Sequence, residues 1–419
     1  MSYNAPVRFA GYVRSLAIFL MASLPAGAQT AKEIYNFPAS DAPNLVNSLV
    51  ATKGATFYGS TLGVQLVNAG VIFSVRPSSG GALVESVIYT FPLSDGAAFG
   101  SCYSTIGISG SGDLYGTAVS DGAYRMGSVF RLSPPAAADG RWTYTTLYSF
   151  TGGSDSAQPV GGVVVGKNGD LYGATYGQGF PSQAVPGAYG SIFKLSPPAT
   201  RGGEWKLTTL YAFTGGTDGA NPASGLTSGP NGVLYGTTVV SAPVSGGTVF
   251  ELAPPGQTGG GWAFTKVHQF GPYPDGSDPT GSLSVGPHGN LYGTTYGGGK
   301  VLNGGFFGGT AFALYAPTAS RPAWGYEIVH DFGASGDCVN PTLGIAIGNG
   351  GVLYGVNAGC PAYTLTPPAQ TGGPWVENFI SLPSNNPSVK FFNVGSGGLL
   401  TATTSGGAHG SGGIVEVVE

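Results

Sequence analysis

Six aspartates recur in one kind of turn along the chain and are the first candidates for chemistry: Asp41, Asp95, Asp155, Asp218, Asp275 and Asp337. Four of these turns carry a proline four residues later, at Pro159, Pro222, Pro279 and Pro341. An aspartate in such a turn ordinarily caps nearby backbone amides as an Asx turn, and we favour this interpretation. The alternative is a set of oxygen ligands for calcium, for which Asp275 and Asp278 are the best local pair.

Aromatic residues mark several of the longer loops and could bind a ligand by stacking. They are Tyr124, Tyr176, Phe180, Tyr189, Tyr296, Phe306 and Phe307. Exposed rings set among Gly, Ser and Asn suit stacking on sugar rings or contact with a protein partner. The alternative is that each ring packs into its own loop.

The four histidines are too dispersed for a His-based metal site or a Ser-His-Asp triad. His268 and His330 stand where other repeats have Tyr35, Tyr148 or Tyr211, so we expect them to replace that ring structurally. His288 falls in a turn on the opposite side, and His409 is the one histidine predicted in a loop beside the aromatic residues.

The cysteines predict one disulfide, because Cys338 and Cys360 fall in two loops of the same repeat and on the same side of it. An oxidising compartment would allow that bond, which would stabilise the fold by about 3 kcal/mol. Cys102 is then expected to be a buried free thiol.

A tandem repeat positions all of these residues. The tripeptide Leu-Tyr-Gly stands at residues 114–116, 171–173, 234–236, 291–293 and 353–355, with degenerate copies at 57–59 and 400–402. Each copy carries four short extended segments, which we label A to D, with Leu-Tyr-Gly in segment B. β-Branched and aromatic residues bounded by Gly and Pro are typical of strands, and no helical period is present. The repeat therefore predicts seven units of four strands each.

The order of segments along the chain predicts a closed ring. The sequence after the leader opens on a lone D segment at residues 33–37, and it ends on a C segment at residues 413–417. Together these ends complete a seventh unit, which removes the exposed sheet edge of an open array. The predicted fold is an all-β, seven-bladed propeller of four antiparallel strands per blade. The predicted blades span approximately 44–92, 99–151, 158–214, 221–271, 278–333, 340–382, and 387–419 with 31–37.

Alternating strand direction separates two faces of the ring. The D-to-A and B-to-C loops, uneven in length, emerge together on what we call the loop-rich face, whereas short A-to-B and C-to-D turns form the other face. Variable loops on a rigid scaffold are typical of a binding surface. The repeated aspartates, the loop aromatics and His409 all fall on the loop-rich face.

Composition and the amino terminus predict an exported protein. Arg8 and Arg14 precede a short apolar run, and Ala26-Gly27-Ala28 offers a cleavage site, so residues 1–28 read as a signal peptide and 29–419 as one propeller domain. No later stretch is long and apolar enough to span a membrane. The net charge of −4 becomes −6 after cleavage, which disfavours nucleic acid as a partner. We expect a secreted protein, extracellular or periplasmic, and a monomer.

The run Gly-x-Leu-Tyr-Gly-Thr-Thr, followed by Gly-Gly-Thr-Val-Phe-x-Leu and Leu-Tyr-x-Phe with Asp-Gly-x-x-Pro, resembles the GloVer-type tandem repeat of exported bacterial proteins. The resemblance covers nearly all of the chain after the leader. It implies export and repetition and supplies no catalytic residues.

Two functions remain open from the sequence. The favoured one is a non-enzymatic binding or scaffold module that recognises a glycan or a protein through the loop-rich face, without a cofactor unless the aspartate turns bind calcium. The alternative is a carbohydrate-active enzyme, a glycosidase or lyase, at the mouth of the propeller channel. Glycoside hydrolysis needs two carboxyl groups, and on the loop-rich face Asp121 and Asp278 are the only obvious acids outside the repeated turn.

Overall fold

The computed structural model describes residues 30–37, 46–52, 56–61, 70–91, 105–137, 140–177, 189–200, 202–240, 246–257, 260–271, 274–300, 308–333, 339–341, 343–357, 361–370, 372–382, 389–394, 400–404 and 413–418. Regular structure in these ranges is β, apart from single 3-10 turns at Pro230–Gly232, Pro287–Gly289 and Asn349–Gly351. None of these ranges forms a helix with the length and hydrophobicity needed to cross a lipid bilayer.

The strands form seven blades of antiparallel sheet, which confirms the predicted propeller. The first strand, β1 (Thr30–Asn36), belongs to blade 7. Blade 1 contains β2 (Val46–Ala51), β3 (Phe57–Thr61), β4 (Val71–Pro77) and β5 (Leu83–Thr90). Blade 2 contains β6 (Gly107–Ile108), β7 (Leu114–Ala118), β8 (Ser128–Ser133) and β9 (Thr143–Ser149). Blade 3 contains β10 (Pro159–Val165), β11 (Leu171–Thr175), β12 (Ser191–Ser196) and β13 (Lys206–Ala212).

The later blades follow the same order, with the inner strand broken in two of them. Blade 4 contains β14 (Ala220–Pro222), β15 (Thr227–Ser228), β16 (Leu234–Val240), β17 (Thr248–Ala253) and β18 (Ala263–Gln269). Blade 5 contains β19 (Gly276–Ser277), β20 (Ser284–Val285), β21 (Leu291–Thr295), β22 (Gly297–Gly298), β23 (Thr310–Tyr315) and β24 (Gly325–Asp331). Blade 6 contains β25 (Ala346–Ile347), β26 (Leu353–Gly355), β27 (Tyr363–Thr366) and β28 (Val376–Phe379). Blade 7 contains β29 (Val389–Val394), β30 (Leu400–Thr404), β31 (Gly413–Val418) and β1.

The two ends of the described chain meet in blade 7, as the order of segments predicts. Strand β1 pairs antiparallel with β31, from Thr30 opposite Val418 to Asn36 opposite Gly413. The Ala31 amide also donates to the Ser381 carbonyl at 3.0 Å, which joins blade 7 to blade 6. The amino-terminal strand therefore closes the ring.

Strands B and C are buried on both sides because each blade packs between two neighbours. The B strand β7 is buried along its whole length, and in the C strand β8 every residue but Arg131 and Ser133 is buried. The glycine of Leu-Tyr-Gly makes room for the phenylalanine opposite it: a Cβ on Gly173 would lie 2.4 Å from the Phe193 ring. Because glycine leaves room for this ring, the repeat combines Leu-Tyr-Gly in strand B with Val-Phe or Ile-Phe in strand C.

An aromatic pair joins each of five successive blade interfaces. The tyrosine of Leu-Tyr-Gly, or of its degenerate copy, contacts the tryptophan that precedes the D strand of the next blade, with ring centroids 5.6–6.4 Å apart. The pairs are Tyr58–Trp142, Tyr115–Trp205, Tyr172–Trp262, Tyr235–Trp324 and Tyr292–Trp375. Because the sequence has five tryptophans, every one of them serves this contact.

We predict that Tyr172 and Trp262 are energetically coupled across the interface between blades 3 and 4. Edge-on or tilted aromatic pairs contribute about 0.5–1.5 kcal/mol beyond their buried area. A double-mutant cycle of Tyr172→Leu and Trp262→Leu, measured by urea unfolding, should show coupling in that range. The matched cycle of Tyr172→Leu with Trp324→Leu, which do not pair, should be additive within about 0.5 kcal/mol. Additivity in both cycles would contradict the role given to the pair.

Candidate binding face

The inner strands surround a central channel with a volume of about 1040 Å³. Neighbouring inner strands approach closely: a Cβ on Gly161 would lie 1.9 Å from the Gly225 backbone nitrogen. The Thr227 hydroxyl donates to the Leu283 carbonyl at 2.7 Å and so joins blades 4 and 5. Among the described residues that line the channel there is no Asp, Glu, Lys, Arg or His. The described wall thus offers backbone groups, hydroxyls, the Gln158 amide and apolar side chains.

The repeated aspartates of blades 2 and 3 form the same closed turn. Asp155 Oδ2 accepts hydrogen bonds from the Tyr148 hydroxyl at 3.0 Å and from the Thr151 amide at 2.8 Å. The Thr151 hydroxyl donates to the other oxygen, Oδ1, at 2.5 Å. Asp218 repeats this arrangement with Tyr211 and Thr214. Both carboxylates therefore fix their own turns, in agreement with the capping interpretation. Asp41, Asp95 and Asp337 lie outside the described residues, so for them capping stays a prediction.

In blade 4 a histidine replaces the tyrosine that faces the aspartate. His268 Nε2 lies 3.3 Å from Asp275 Oδ2, and the same carboxylate accepts the Gly271 amide at 2.8 Å and the Gly276 amide at 2.9 Å. Burial, the largest single influence, acts to raise the pKa of Asp275, but the hydrogen bonds with His268 and the Gly271 amide help to outweigh it, so that pKa is lowered. His268 thus takes the position of the tyrosine ring, as the repeat predicts.

The other histidines are placed as follows. His330 lies in the equivalent position of blade 5, with Nε2 3.7 Å from Glu377 Oε1 of blade 6. His288 occupies an exposed turn in the left-handed region, with φ of 62°. His409 lies outside the described residues, as do Cys102, Cys338 and Cys360, so the disulfide stays a prediction.

Asp278 differs from the turn aspartates because burial raises its pKa. It has φ of 55°, and the equivalent positions in blades 4 and 6 are Asn221 and Asn340, with φ of 56° and 57°. Both asparagine amides donate at 2.9 Å to a carbonyl of the preceding blade, those of Tyr176 and Tyr296. An aspartate cannot donate that bond when ionised. The described residues contain no group of three or more His, Cys, Asp or Glu arranged to hold a metal, and calcium binding stays a prediction.

Three of the predicted loop tyrosines are exposed on the loop-rich face: Tyr124, Tyr189 and Tyr296. Tyr189 also packs over Gly215 of its own blade, where a Cβ would lie 2.7 Å from the ring. Tyr176 is half-buried and lines the channel. Phe180, Phe306 and Phe307 lie outside the described residues. The structure therefore places the described tyrosines on three blades rather than in one cluster.

The two acids outside the repeated turn are not brought together in any described contact. Asp121 Oδ2 accepts the Tyr144 hydroxyl at 2.9 Å and the Ser128 hydroxyl at 3.2 Å, both within blade 2. Asp278, in blade 5, accepts the Ser277 hydroxyl at 3.4 Å. Asp121 consequently serves the packing of its own loop.

A second concavity of about 590 Å³ lies on the outer side, between blades 2 and 3. Tyr148, Asp155 and Trp205 are among the residues that line it. Sequence reasoning missed this groove, because Tyr148 and Asp155 read only as parts of a turn. Alignment of the D segments could have indicated it, since Leu207 stands where other blades have an aromatic residue.

We predict that Asp278→Asn stabilises the fold by about 0.5–1.5 kcal/mol at pH 7. The asparagine would donate to the carbonyl of Val239, which the repeat places where Tyr176 and Tyr296 stand. It would also remove a carboxylate that burial disfavours. Because the pKa of Asp278 is raised, its ionisation costs stability as the pH rises above the ordinary aspartate pKa. The gain should therefore be larger at pH 7 than at pH 4, as measured by urea unfolding.

Asp275→Asn is the matched control, and its expected effect on the stability of the fold has the opposite sign. The folded pKa of Asp275 is lowered, so its stabilisation is present above the unfolded pKa and is lost as the pH falls through the folded pKa. The variant should be destabilised at pH 7 and approach the parent protein in stability as the pH falls through the folded pKa of Asp275. A calcium-dependent rise in the melting temperature that Asp278→Asn removes would instead indicate a cation site.

Comparison with known proteins assigns the chain to a family. The Gloeobacter/Verrucomicrobia repeat matches residues 17–200 and 106–360, and no curated protein matches the sequence. A proposed oxidoreductase (glucose dehydrogenase) from Thermus thermophilus is 14% identical with a TM-score of 0.44, covering 75% of this chain and 95% of that one. A proposed gluconolactonase is 15% identical with a TM-score of 0.41, covering 79% and 89%. On the family match, this chain belongs to the Gloeobacter/Verrucomicrobia repeat family.

Proposed function

We propose that this chain is a non-enzymatic binding module that takes a glycan or a protein partner on its loop-rich face. The observation that carries the proposal is the exposure of Tyr124, Tyr189 and Tyr296, which are 59%, 36% and 44% exposed. Tyrosine supplies a large contact area with few rotatable bonds and is enriched among the residues that dominate binding energy. Exposed tyrosine side chains on one face of a closed propeller are suited to binding a partner.

The loops beneath these tyrosines are held in place by hydrogen bonds between their own polar groups, so the binding face is preorganised. Asp155, Asp218 and Asp275 each hold a loop of this face by hydrogen bonds to their own blade. At the tip of the blade 2 loop, Arg125 follows Tyr124 with φ of 57°. Non-glycine residues in this region are uncommon and often occur at functional sites. The loop thus presents Tyr124 from a fixed turn.

A carbohydrate-active enzyme at the channel mouth remains the second candidate. The raised pKa of Asp278 favours it, since a general acid needs a carboxyl group that stays protonated near the working pH. Against it, hydrolysis needs a second carboxyl group about 5–10 Å away. The described channel wall contains no carboxylate.

Export belongs to the same proposal. Residues 1–28, with the features of a signal peptide, would direct the chain across the inner membrane and leave a monomeric propeller outside the cell or in the periplasm. The formal net charge of −4 gives the whole chain no excess of cations for binding nucleic acid.

We predict that Tyr124→Ala or Tyr296→Ala weakens binding of a partner selected on a glycan array at least tenfold, while the matched surface variant Val376→Ala leaves it unchanged. Val376 is 51% exposed and lies on the edge strand of blade 6. Titration calorimetry measures the affinities, and reducing-end release from the bound glycan is followed in parallel. Release of product would favour the enzyme. Equal affinity of all three variants would remove the loop-rich face as the binding surface.

A further inference from the structure

A second set of contacts joins the D strands of successive blades. In three interfaces a ring near the end of one D strand stacks nearly parallel on a ring of the next D strand. The pairs are Tyr89–Tyr144 at 4.4 Å, Tyr211–Phe264 at 4.1 Å and His268–Tyr326 at 4.0 Å. Offset or parallel stacking of this kind fills the outer part of the interface.

Two further interfaces replace the stacked ring by a carboxylate. The Tyr35 hydroxyl donates to Glu85 at 3.4 Å between blades 7 and 1. His330 faces Glu377 between blades 5 and 6. At both interfaces a polar pair occupies the position that the second aromatic ring takes in the three stacked pairs.

The interface between blades 2 and 3 has neither a stacked ring nor a carboxylate at this position among the described residues. Leu207 pairs with Leu195 as Tyr144 pairs with Leu132 and as Phe264 pairs with Leu252, so it holds the stacking position. Within the described part of the chain, the ring contact of Tyr148 is edge-on with Phe150, at 5.2 Å. A leucine cannot cover the face of the Tyr148 ring as a second ring would. The groove of about 590 Å³ lies at this point.

The groove walls combine one aromatic surface with a polar rim. Tyr148, Trp205 and Leu207 supply the apolar part, and Ser154, Asp155, Glu204, Lys206 and Thr209 supply the polar part. The Tyr148 ring is held in place because its hydroxyl donates to Asp155. Ser154 and Asp155 belong to a loop of the loop-rich face, so the groove reaches that face.

We propose that this groove binds a pyranose ring of an uncharged glycan, stacked on the face of Tyr148. A pyranose has an apolar face that matches an aromatic ring and a rim of hydroxyls that match carboxylates, an ammonium and hydroxyls. Two carboxylates against one ammonium disfavour acidic sugars. The inference rests on the proposed binding function and names the class of ligand and its place.

Filling the groove from within tests the assignment. Leu207→Phe supplies the ring that blades 4 and 5 already carry, so it should fold with an unchanged or higher melting temperature and lose sugar binding. Ser154→Trp is a second variant that blocks the groove, and it replaces Leu207→Phe in the test if that variant folds poorly. Ser154 is exposed, so its replacement should leave the core intact. Phe264→Tyr, which keeps the stack on Tyr211 in another interface, is the matched control.

The probes are cellohexaose, xylohexaose, mannohexaose and chitohexaose, with hexagalacturonic acid as the charged comparison and N-acetyltyrosinamide as the aromatic one. Titration calorimetry should show binding of at least one neutral hexasaccharide, weakened tenfold or more by Leu207→Phe and by Ser154→Trp but not by Phe264→Tyr. The charged hexasaccharide should bind more weakly.

Three results would overturn the assignment. Equal binding by the parent protein and both groove variants would place the sugar elsewhere and leave the binding function intact. Groove-dependent binding of N-acetyltyrosinamide without any hexasaccharide would replace the sugar by an aromatic side chain. Binding of no probe, together with a protein partner that depends on Tyr124 or Tyr296, would remove the groove site and keep the proposed function.

Discussion

Packing between neighbouring blades is the constraint on which the rest of this structure depends. Each blade is a small sheet whose central strands are buried on both sides, so no blade has a solvent-facing side of its own. The Tyr–Trp pairs and the stacked D-strand rings fix how one blade lies on the next. Once β1 pairs with β31, every blade has two neighbours, and the ring holds its loops on a common face.

The same constraint makes a gap in blade packing, rather than the channel, the place for the binding site that we propose. Interfaces that carry a second ring or a polar pair are filled, and the interface at Leu207 leaves a groove. Asp155 and Asp218, two of the repeated aspartates, cap the turns of loops in blades 2 and 3.

Much of the fold could be predicted from the sequence because Leu-Tyr-Gly marks one strand of each blade, and the split seventh blade predicts closure. The aromatic interfaces could not, since they join residues of different repeats. A further obstacle is a β-bulge between strands C and D, for example between Val129 and Phe130, which breaks the simple alternation of side chains. Alignment of the D segments matches Leu207 to Tyr144 and Phe264, but only the packing of blade 2 on blade 3 shows the groove that this leucine leaves beside Tyr148. The exposure of Tyr124 agrees with its place in a variable loop, and its role in binding stays a prediction.

Equilibrium unfolding in urea, followed in one sample by tryptophan fluorescence and by far-ultraviolet circular dichroism, tests the central role of inter-blade packing most directly. All five tryptophans lie at blade interfaces, so their fluorescence reports contact between blades, whereas circular dichroism reports the strands within them. If blades are stable only as neighbours in a closed ring, the two transitions coincide in midpoint and slope. A fluorescence transition at clearly lower urea, with the strand signal retained, would show that blades survive without their interfaces and would contradict the account.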